Sequence, residues 1–166
     1  MPHDARAVAN YLLDYGAEKA IPVGPLALQK VLFFLHGWWL LKTSEPLIRQ
    51  AFEAWARGPV VRVVYNAFNN TPRGEPITTR AWIFDIVARK RVLASSVFSE
   101  EEHEFIREKF EYYGRINAFD LVKMTHEPGG PWQIVWNEEI MSPGNIIDNF
   151  LIKARFDDLV KHTRSN

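Results

Sequence analysis

The chain has 166 residues, of which 47% are hydrophobic and 24% are charged. This length predicts one domain spanning 1–166, and the apolar fraction excludes a disordered chain. The 20 basic and 20 acidic residues cancel, so no overall field attracts nucleic acid or anionic lipid. Without Cys, disulfides, thiolate nucleophiles and Cys-bound zinc are excluded. We expect a cytoplasmic protein, because the sequence shows neither a secretory signal nor an apolar run of membrane-spanning length.

Two helices are predicted near the N-terminus. Asp4 is a good N-cap for the first, which we expect to end at Gly16. Its apolar residues recur at helical spacing, which predicts that Asn10 on the other face contacts water. The second helix should begin at Pro25 and is apolar on nearly every side. Such a helix is typical of the centre of a fold, so His36 within it is expected to be buried.

Strand patterns occupy the middle of the chain. Apolar and polar residues alternate over 51–57, which predicts a short strand. Gly58 and Pro59 should then open a third helix. Two further alternating runs over 82–97 favour a hairpin. Together with the strand near Trp55, this hairpin would make one small antiparallel sheet.

The C-terminal half is predicted to be helical. Ser99 and Glu102 have the spacing of a capping box, which predicts a helix over 99–113. A further helix is expected over 117–126. We therefore expect a single mainly α (α+β) domain with about six helices and a small antiparallel sheet or hairpin.

The end of the chain combines two tryptophans with a last helix. Trp132 and Trp136 lie one helical turn apart, on one face of a short turn. The last helix should begin at Ser142-Pro143, and its inward-facing residues are expected to be Ile146, Ile147, Phe150, Leu151 and Ala154. Residues 161–166 are predicted to form a loose tail.

Strong catalytic motifs are absent from the sequence. It contains no nucleophile elbow, phosphate-binding loop, dinucleotide glycine pattern or His-Glu-x-x-His. Glu100 and His103 have a metal-ligand spacing, but the second copy that a di-metal site needs is missing. We expect no metal and no cofactor. A small hydrolase-like enzyme that uses His126 or His36 stays open as an alternative.

An aromatic and a cationic side chain stand together on the predicted strand. Trp55 and Arg57 fall on the face opposite Phe52. If that face is exposed, the pair has the composition of a protein-binding hot spot. If it is buried, Trp55 completes a second core layer. The basic turn over 89–91 is too small to predict a specific nucleic-acid site.

Three ordered segments resemble a known protein family. The first comprises Leu26, Leu28, Gln29, Lys30, Val31, Leu32, Phe33, Phe34 and Gly37. The second comprises Phe52, Ala54, Trp55, Gly58, Pro59, Val60 and Tyr65. The third comprises Thr125, His126, Pro131 and Trp132. Together they are similar to the Panacea, or SocA-like, antitoxin domain, which also occurs in phage-associated GepA-type proteins.

This resemblance implies a binding protein rather than an enzyme. It implies that the chain neutralises a toxin encoded beside it through direct protein contact. In the SocA branch it also implies an adaptor that delivers the toxin to the ClpXP protease. No membrane and no specific nucleic acid are expected as partners. The residues expected to contact the partner are Trp55, Arg57, Gly58, Pro59, Tyr65, Trp132 and Trp136.

Overall fold

The computed structural model describes residues 1–136 and 144–165. These residues form seven helices and five strands. The helices are α1 (Ala5–Glu18), α2 (Pro25–Thr43), α3 (Arg62–Phe68), α4 (Glu100–Tyr113), α5 (Ala118–Thr125), α6 (Pro131–Val135) and α7 (Asn149–Arg164). The strands are β1 (Phe52–Trp55), β2 (Gly58–Val60), β3 (Trp82–Asp85), β4 (Lys90–Leu93) and β5 (Asn145–Ile147). The predicted mainly helical α+β architecture is confirmed.

Helix α2 lies at the centre of the fold, as its apolar sequence predicts. It begins at Pro25, whose missing N–H is not needed in the first helical turn. Its sides pack against α1, α3, α4, α5, α7 and β2. Burial of its large apolar side chains stabilises the domain by about 1.5–3 kcal/mol each. Within the described residues, no helix is both long and apolar enough to cross a membrane.

Helix α1 differs from its prediction at two positions. It begins after Asp4, whose side chain accepts a hydrogen bond from the Arg6 N–H, so the predicted cap is confirmed. It continues past Gly16 to Glu18, so the predicted end is wrong. The prediction that Asn10 faces water is also wrong, because Asn10 is buried and its amide binds the backbone at the base of the β3–β4 hairpin.

The strands form two separate sheets rather than the single sheet that the sequence predicts. Strand β1 lies between β2 and β5 and is antiparallel to both, whereas β3 and β4 pair only with each other. The predicted strand over 51–57 ends at Trp55, and a tight turn then leads into β2. Gly58 and Pro59 therefore belong to a strand, and α3 begins later, at Arg62. Pairing with β1 outweighs the helix-opening preference of Pro59.

The C-terminal segment combines confirmed and wrong predictions. Helix α4 has the predicted capping box. The predicted start of the last helix, Ser142-Pro143, lies outside the described residues. The residues that follow form β5, in which Ile147 is buried as predicted and Ile146 is exposed. On α7, Phe150 is exposed rather than inward-facing, and Ile152 and Phe156 are buried instead. Helix α7 extends to Arg164, into the segment for which we expect a loose tail.

Candidate partner-binding cleft

Two polar side chains of α2 hold the backbone at β2. The Gln29 amide donates to the Val61 carbonyl over 3.3 Å, and its oxygen accepts from the Val61 N–H over 2.9 Å. The Lys30 Nζ donates to the Pro59 carbonyl over 2.9 Å. The Leu-Gln-Lys segment therefore supports the Gly-Pro-Val segment directly.

The third segment of the sequence pattern supports the same β1–β2 turn. The Trp132 indole N–H donates to the Trp55 carbonyl over 2.7 Å. Gly58 has a φ of 109°, and a Cβ there would lie 2.7 Å from the Thr125 Oγ1 and 2.8 Å from the Lys30 Cε. Only glycine fits this position without displacing both neighbours. The three segments thus meet at one turn, although they are far apart in sequence.

Aromatic and cationic side chains project beside this turn. The rings of Trp55 and Tyr65 are 4.8 Å apart between centroids. The Arg62 guanidinium lies 5.1 Å from the centre of the Trp55 ring and also pairs with Glu53 over 2.8 Å. Trp55 is half-buried, whereas Tyr65 and Arg57 are exposed. We refer to Trp55, Arg57 and Tyr65 as the aromatic rim.

The aromatic rim borders a cleft of about 900 Å³. The cleft lies between the start of α2, helix α3, the loop that follows α3 and the start of α5. Its lining is mainly apolar and includes Val64, Phe68 and Phe119. The charged residues of the lining are Lys30, Arg57, Arg73 and Glu75. The size and lining match those of cavities that hold ligands or partner side chains.

Two titratable side chains near the β1–β2 turn, Lys30 and His126, have lowered pKa values. Lys30 is 0% exposed, and burial, with a smaller effect from the charge of Arg57, lowers its pKa to about 7. Burial and the charge of Lys30 lower the pKa of His126. Within the described residues, no carboxylate forms a salt bridge with Lys30. With a pKa of about 7, Lys30 is only partly protonated at neutral pH, so its burial leaves no fixed positive charge beneath the turn.

The structure divides the residues predicted to contact a partner into two groups. Those that line the cleft and are at least partly exposed are Trp55, Arg57 and Tyr65. Those that are buried beneath the turn are Gly58, Pro59 and Trp132. Trp136 is half-buried and stacks on Trp132, with centroids 5.7 Å apart. The buried group supports the turn, and the aromatic rim is the part of the predicted set that lines the cleft and is at least partly exposed.

The two histidines considered for catalysis, His36 and His126, make their contacts with residues of the fold itself. His36 is fully buried; its Nδ1 accepts from the Ile48 N–H over 3.3 Å and its Nε2 donates to the Asn149 Oδ1 over 2.8 Å. Burial lowers its pKa to about 4. The His126 ring stacks on Trp132 at 3.7 Å, and its Nε2 is buried. Neither ring forms a hydrogen bond with a carboxylate or hydroxyl in residues 1–136 and 144–165.

A second exposed surface lies on the β3–β4 hairpin. Trp82 and Phe84 are 47% and 63% exposed, and Leu93 lies opposite Trp82. The Arg91 guanidinium lies 5.9 Å from the centre of the Trp82 ring. Alternation in the sequence predicts the hairpin, but it does not indicate which of its faces packs on the domain. We refer to Trp82, Phe84 and Leu93 as the hairpin face.

Comparison with known proteins gives a family match over the region that contains most of the three segments. The family model described as "Antitoxin SocA-like, Panacea domain" matches residues 28–133. Antitoxin SocA of Caulobacter vibrioides (strain NA1000 / CB15N) is 43% identical over 135 residues, which cover 81% of this chain and 71% of that protein. No solved structure gives a significant match. The chain therefore belongs to the SocA-like antitoxin family, which is defined by the Panacea domain.

Proposed function

We propose that this protein is a cytoplasmic antitoxin that binds a cognate protein toxin and neutralises it by direct contact. The observation that carries the proposal is the aromatic rim, an exposed or half-buried Trp, Arg and Tyr beside an open apolar cleft. These residue types dominate the binding energy of protein interfaces, because they bury a large area and anchor well. The family membership and the similarity to Antitoxin SocA support the same function.

The mechanism that we propose is steric. The toxin inserts apolar side chains into the cleft, and the antitoxin covers the toxin surface without forming or breaking a covalent bond. Gln29, Lys30 and Trp132 hold the backbone of the turn that carries Trp55. Because this backbone is already ordered in the free protein, binding loses less conformational entropy.

The test is co-expression with the product of the neighbouring reading frame. The wild type should restore growth, and the Trp55→Ala/Arg57→Ala double variant should not. Loss of two interface anchors is expected to weaken toxin binding by about 2–4 kcal/mol, or 30-fold or more. The affinity of the purified proteins, measured by calorimetry, provides the quantitative readout.

The matched control is the Phe150→Ala/Arg164→Ala double variant. It removes the same two kinds of side chain from exposed positions on α7, outside the cleft. This control should rescue growth as the wild type does. Equal loss of rescue in both double variants, or unchanged toxin affinity in the Trp55→Ala/Arg57→Ala variant, would contradict the proposed surface.

We propose in addition that the antitoxin acts as an adaptor that brings the toxin to the ClpXP protease. An adaptor needs a second contact surface, which raises the effective concentration of its cargo at the protease. The hairpin face is exposed and apolar, and no described residue of 81–94 lines the cleft. It can therefore contact the unfoldase while the cleft is occupied.

Mutation of the hairpin face should remove the adaptor role without affecting toxin binding. Trp82→Ser/Phe84→Ser should abolish degradation of the toxin by purified ClpXP and leave the affinity for the toxin within about threefold of the wild type. Degradation at the wild-type rate by this variant would exclude the hairpin face as the protease contact. Absence of degradation with the wild type would exclude the adaptor role and leave the binding role intact.

A further inference from the structure

We propose that strand β4 binds an extended polypeptide segment as a third strand of the hairpin, and that this segment combines apolar with acidic residues. The inference rests on the proposed adaptor contact for the choice of surface, and it names the class of segment that this surface binds. It follows from the free backbone edge of β4, the exposed apolar side chains beside that edge and a local excess of cations. Its test uses neither toxin nor protease, so its failure is distinguishable from failure of the proposed function.

The first observation is the free backbone edge of β4. The hairpin is a sheet of two strands, so β4 has one edge without a neighbouring strand. The Ala94 N–H donates to the Ala81 carbonyl over 3.0 Å. Because hydrogen-bonded and non-hydrogen-bonded pairs alternate in an antiparallel sheet, the N–H and carbonyl groups of Arg91 and Leu93 point away from β3. Within the described residues, no loop or helix supplies these groups with a backbone partner, and such an edge is a template for pairing with another chain.

The second observation is the apolar surface beside this edge. Leu93 is 49% exposed and lies directly opposite Trp82. Phe84 lies on the same face, opposite Arg91. Side chains of neighbouring strands pack side by side, so an added strand would cover part of this face. A two-stranded hairpin is marginally stable by itself, and a third strand on a shared apolar face stabilises it.

The third observation is the charge of the hairpin. Residues 82–93 contain three cations, which are Arg89, Lys90 and Arg91. All three are exposed, and none forms a salt bridge within the part of the chain that the structure describes. The acidic residue of this range, Asp85, accepts two backbone N–H groups of the turn, each over 2.9 Å. The chain as a whole has a formal net charge of zero, so the excess is local and complementary to an acidic segment.

These three observations together select a polypeptide as the partner. A bilayer covers apolar side chains and attracts cations, but it would leave the backbone groups of the edge without partners. A nucleic acid would pair with the cations and leave the apolar face uncovered. A second copy of β4 would bring the cations of both copies together, and like charges across a strand pair are unfavourable. An extended acidic segment satisfies both edge and charge, and strand addition is a recurrent mode of peptide recognition.

The order of residues along β4 predicts the order of residues in the bound segment. The strand passes from the cations Lys90 and Arg91 to the apolar Val92 and Leu93. Antiparallel pairing is the more stable arrangement. An antiparallel segment would therefore begin with apolar residues opposite Leu93 and end with acidic residues opposite Lys90.

The experiment uses the full chain and a blocked peptide of three valines followed by three glutamates. One matched probe has lysines in place of the glutamates. The other is the acidic peptide with every backbone nitrogen methylated, which keeps the charge and removes the backbone donors. Binding is followed by amide chemical shifts. The acidic peptide should bind at least about tenfold more tightly than either matched probe, because opposite charges and backbone hydrogen bonds both contribute.

Hydrogen exchange locates the added strand. With saturating acidic peptide, the Arg91 and Leu93 amides should exchange at least about threefold more slowly, because their N–H groups gain acceptors. The Trp82 and Phe84 amides lie at the opposite edge of the hairpin and are the internal control. Their exchange rates should not change.

Charge reversal assigns the preference to the cations of β4. Lys90→Glu/Arg91→Glu changes two exposed side chains and should make the lysine peptide the tighter ligand, because like charges then oppose the acidic peptide. The matched control Lys161→Glu/Arg164→Glu reverses two exposed cations on α7. It should keep the preference of the wild type for the acidic peptide.

Several results would overturn the proposal. Equal binding of the acidic peptide and its methylated form would show charge attraction without strand addition. Slower exchange at Trp82 and Phe84 instead of Arg91 and Leu93 would place the segment at the wrong edge. An unchanged preference in Lys90→Glu/Arg91→Glu, or binding of phosphatidylglycerol vesicles or a DNA duplex without binding of the peptide, would also contradict it. Toxin affinity and degradation by ClpXP are measured separately and are independent of these results.

Discussion

The side chain of Gln29 contacts Val61 as a neighbouring strand would. Its amide oxygen and nitrogen pair with the N–H and the carbonyl of the same residue, over 2.9 and 3.3 Å. β2 is an edge strand of its sheet, and Val61 follows it directly. A helix side chain thus satisfies backbone groups at the point where the strand leaves the sheet.

Loss of this contact should destabilise the domain. Gln29→Leu leaves a buried N–H and a buried carbonyl without partners, and we expect the free energy of unfolding to fall by about 2–4 kcal/mol. Urea unfolding measures the change. The control Asn66→Leu alters an exposed amide side chain on α3 and should stay within about 0.5 kcal/mol of the wild type. Similar small effects in both variants would show that the Val61 contact is not important for stability.

Asn10 attaches the hairpin to α1. Its amide nitrogen donates to the Ala81 and Ala94 carbonyls, each over 2.9 Å, and its oxygen accepts from the Ala81 N–H over 2.8 Å. Asn10→Ala should lower the free energy of unfolding by about 2–3 kcal/mol and speed hydrogen exchange at the Ala81 amide. Asn70→Ala, at an exposed position, is the control. Unchanged exchange at Ala81 in Asn10→Ala would contradict this role.

Gly37 allows α2 and α7 to approach closely. A Cβ at this position would lie 2.1 Å from the Cε2 atom of Phe156. Gly37→Ala should therefore destabilise the domain by about 1–3 kcal/mol through overpacking. Phe156→Leu removes ring atoms from this position, so the Gly37→Ala/Phe156→Leu double variant should be more stable than the sum of the single effects by about 1 kcal/mol. Strict additivity in thermal unfolding would contradict a direct clash.

His36 should make stability depend on pH. Burial lowers its pKa from 6.5 to about 4, so between these values the unfolded chain binds more protons than the folded one. The stabilisation is complete above pH 6.5 and is lost as the pH falls towards 4. The loss should be on the order of 3 kcal/mol.

The difference between the wild type and His36→Gln isolates this contribution, because the titration of other groups cancels. Urea unfolding at pH 7.0, 5.5 and 4.5 should show the wild type losing stability more steeply than the variant, by up to about 1.4 kcal/mol per pH unit. His162→Gln, on the exposed end of α7, should follow the wild type. Parallel curves for wild type and His36→Gln would exclude the effect.

Local features of the fold are predictable from the sequence. The Asp4 cap, the Ser99–Glu102 capping box and the β3–β4 hairpin all depend on contacts between residues that are close in the chain. The central position of α2 also follows from its sequence, because a helix that is apolar on every side must be covered on every side. These features are confirmed because short-range sequence patterns determine them.

Tertiary contacts decide the features that the sequence does not indicate. Nothing near Asn10 in the chain shows that its amide will meet Ala81 and Ala94, and nothing near Ile146 shows that β1 offers it a strand partner. Alternation in the sequence predicts Trp55 on a strand, but only the structure places Arg57 in the turn that follows and Lys30 beneath that turn, bonded to the Pro59 carbonyl. The physical reason is that hydrogen-bond partners and burial come from residues far apart in sequence, which a local pattern does not specify.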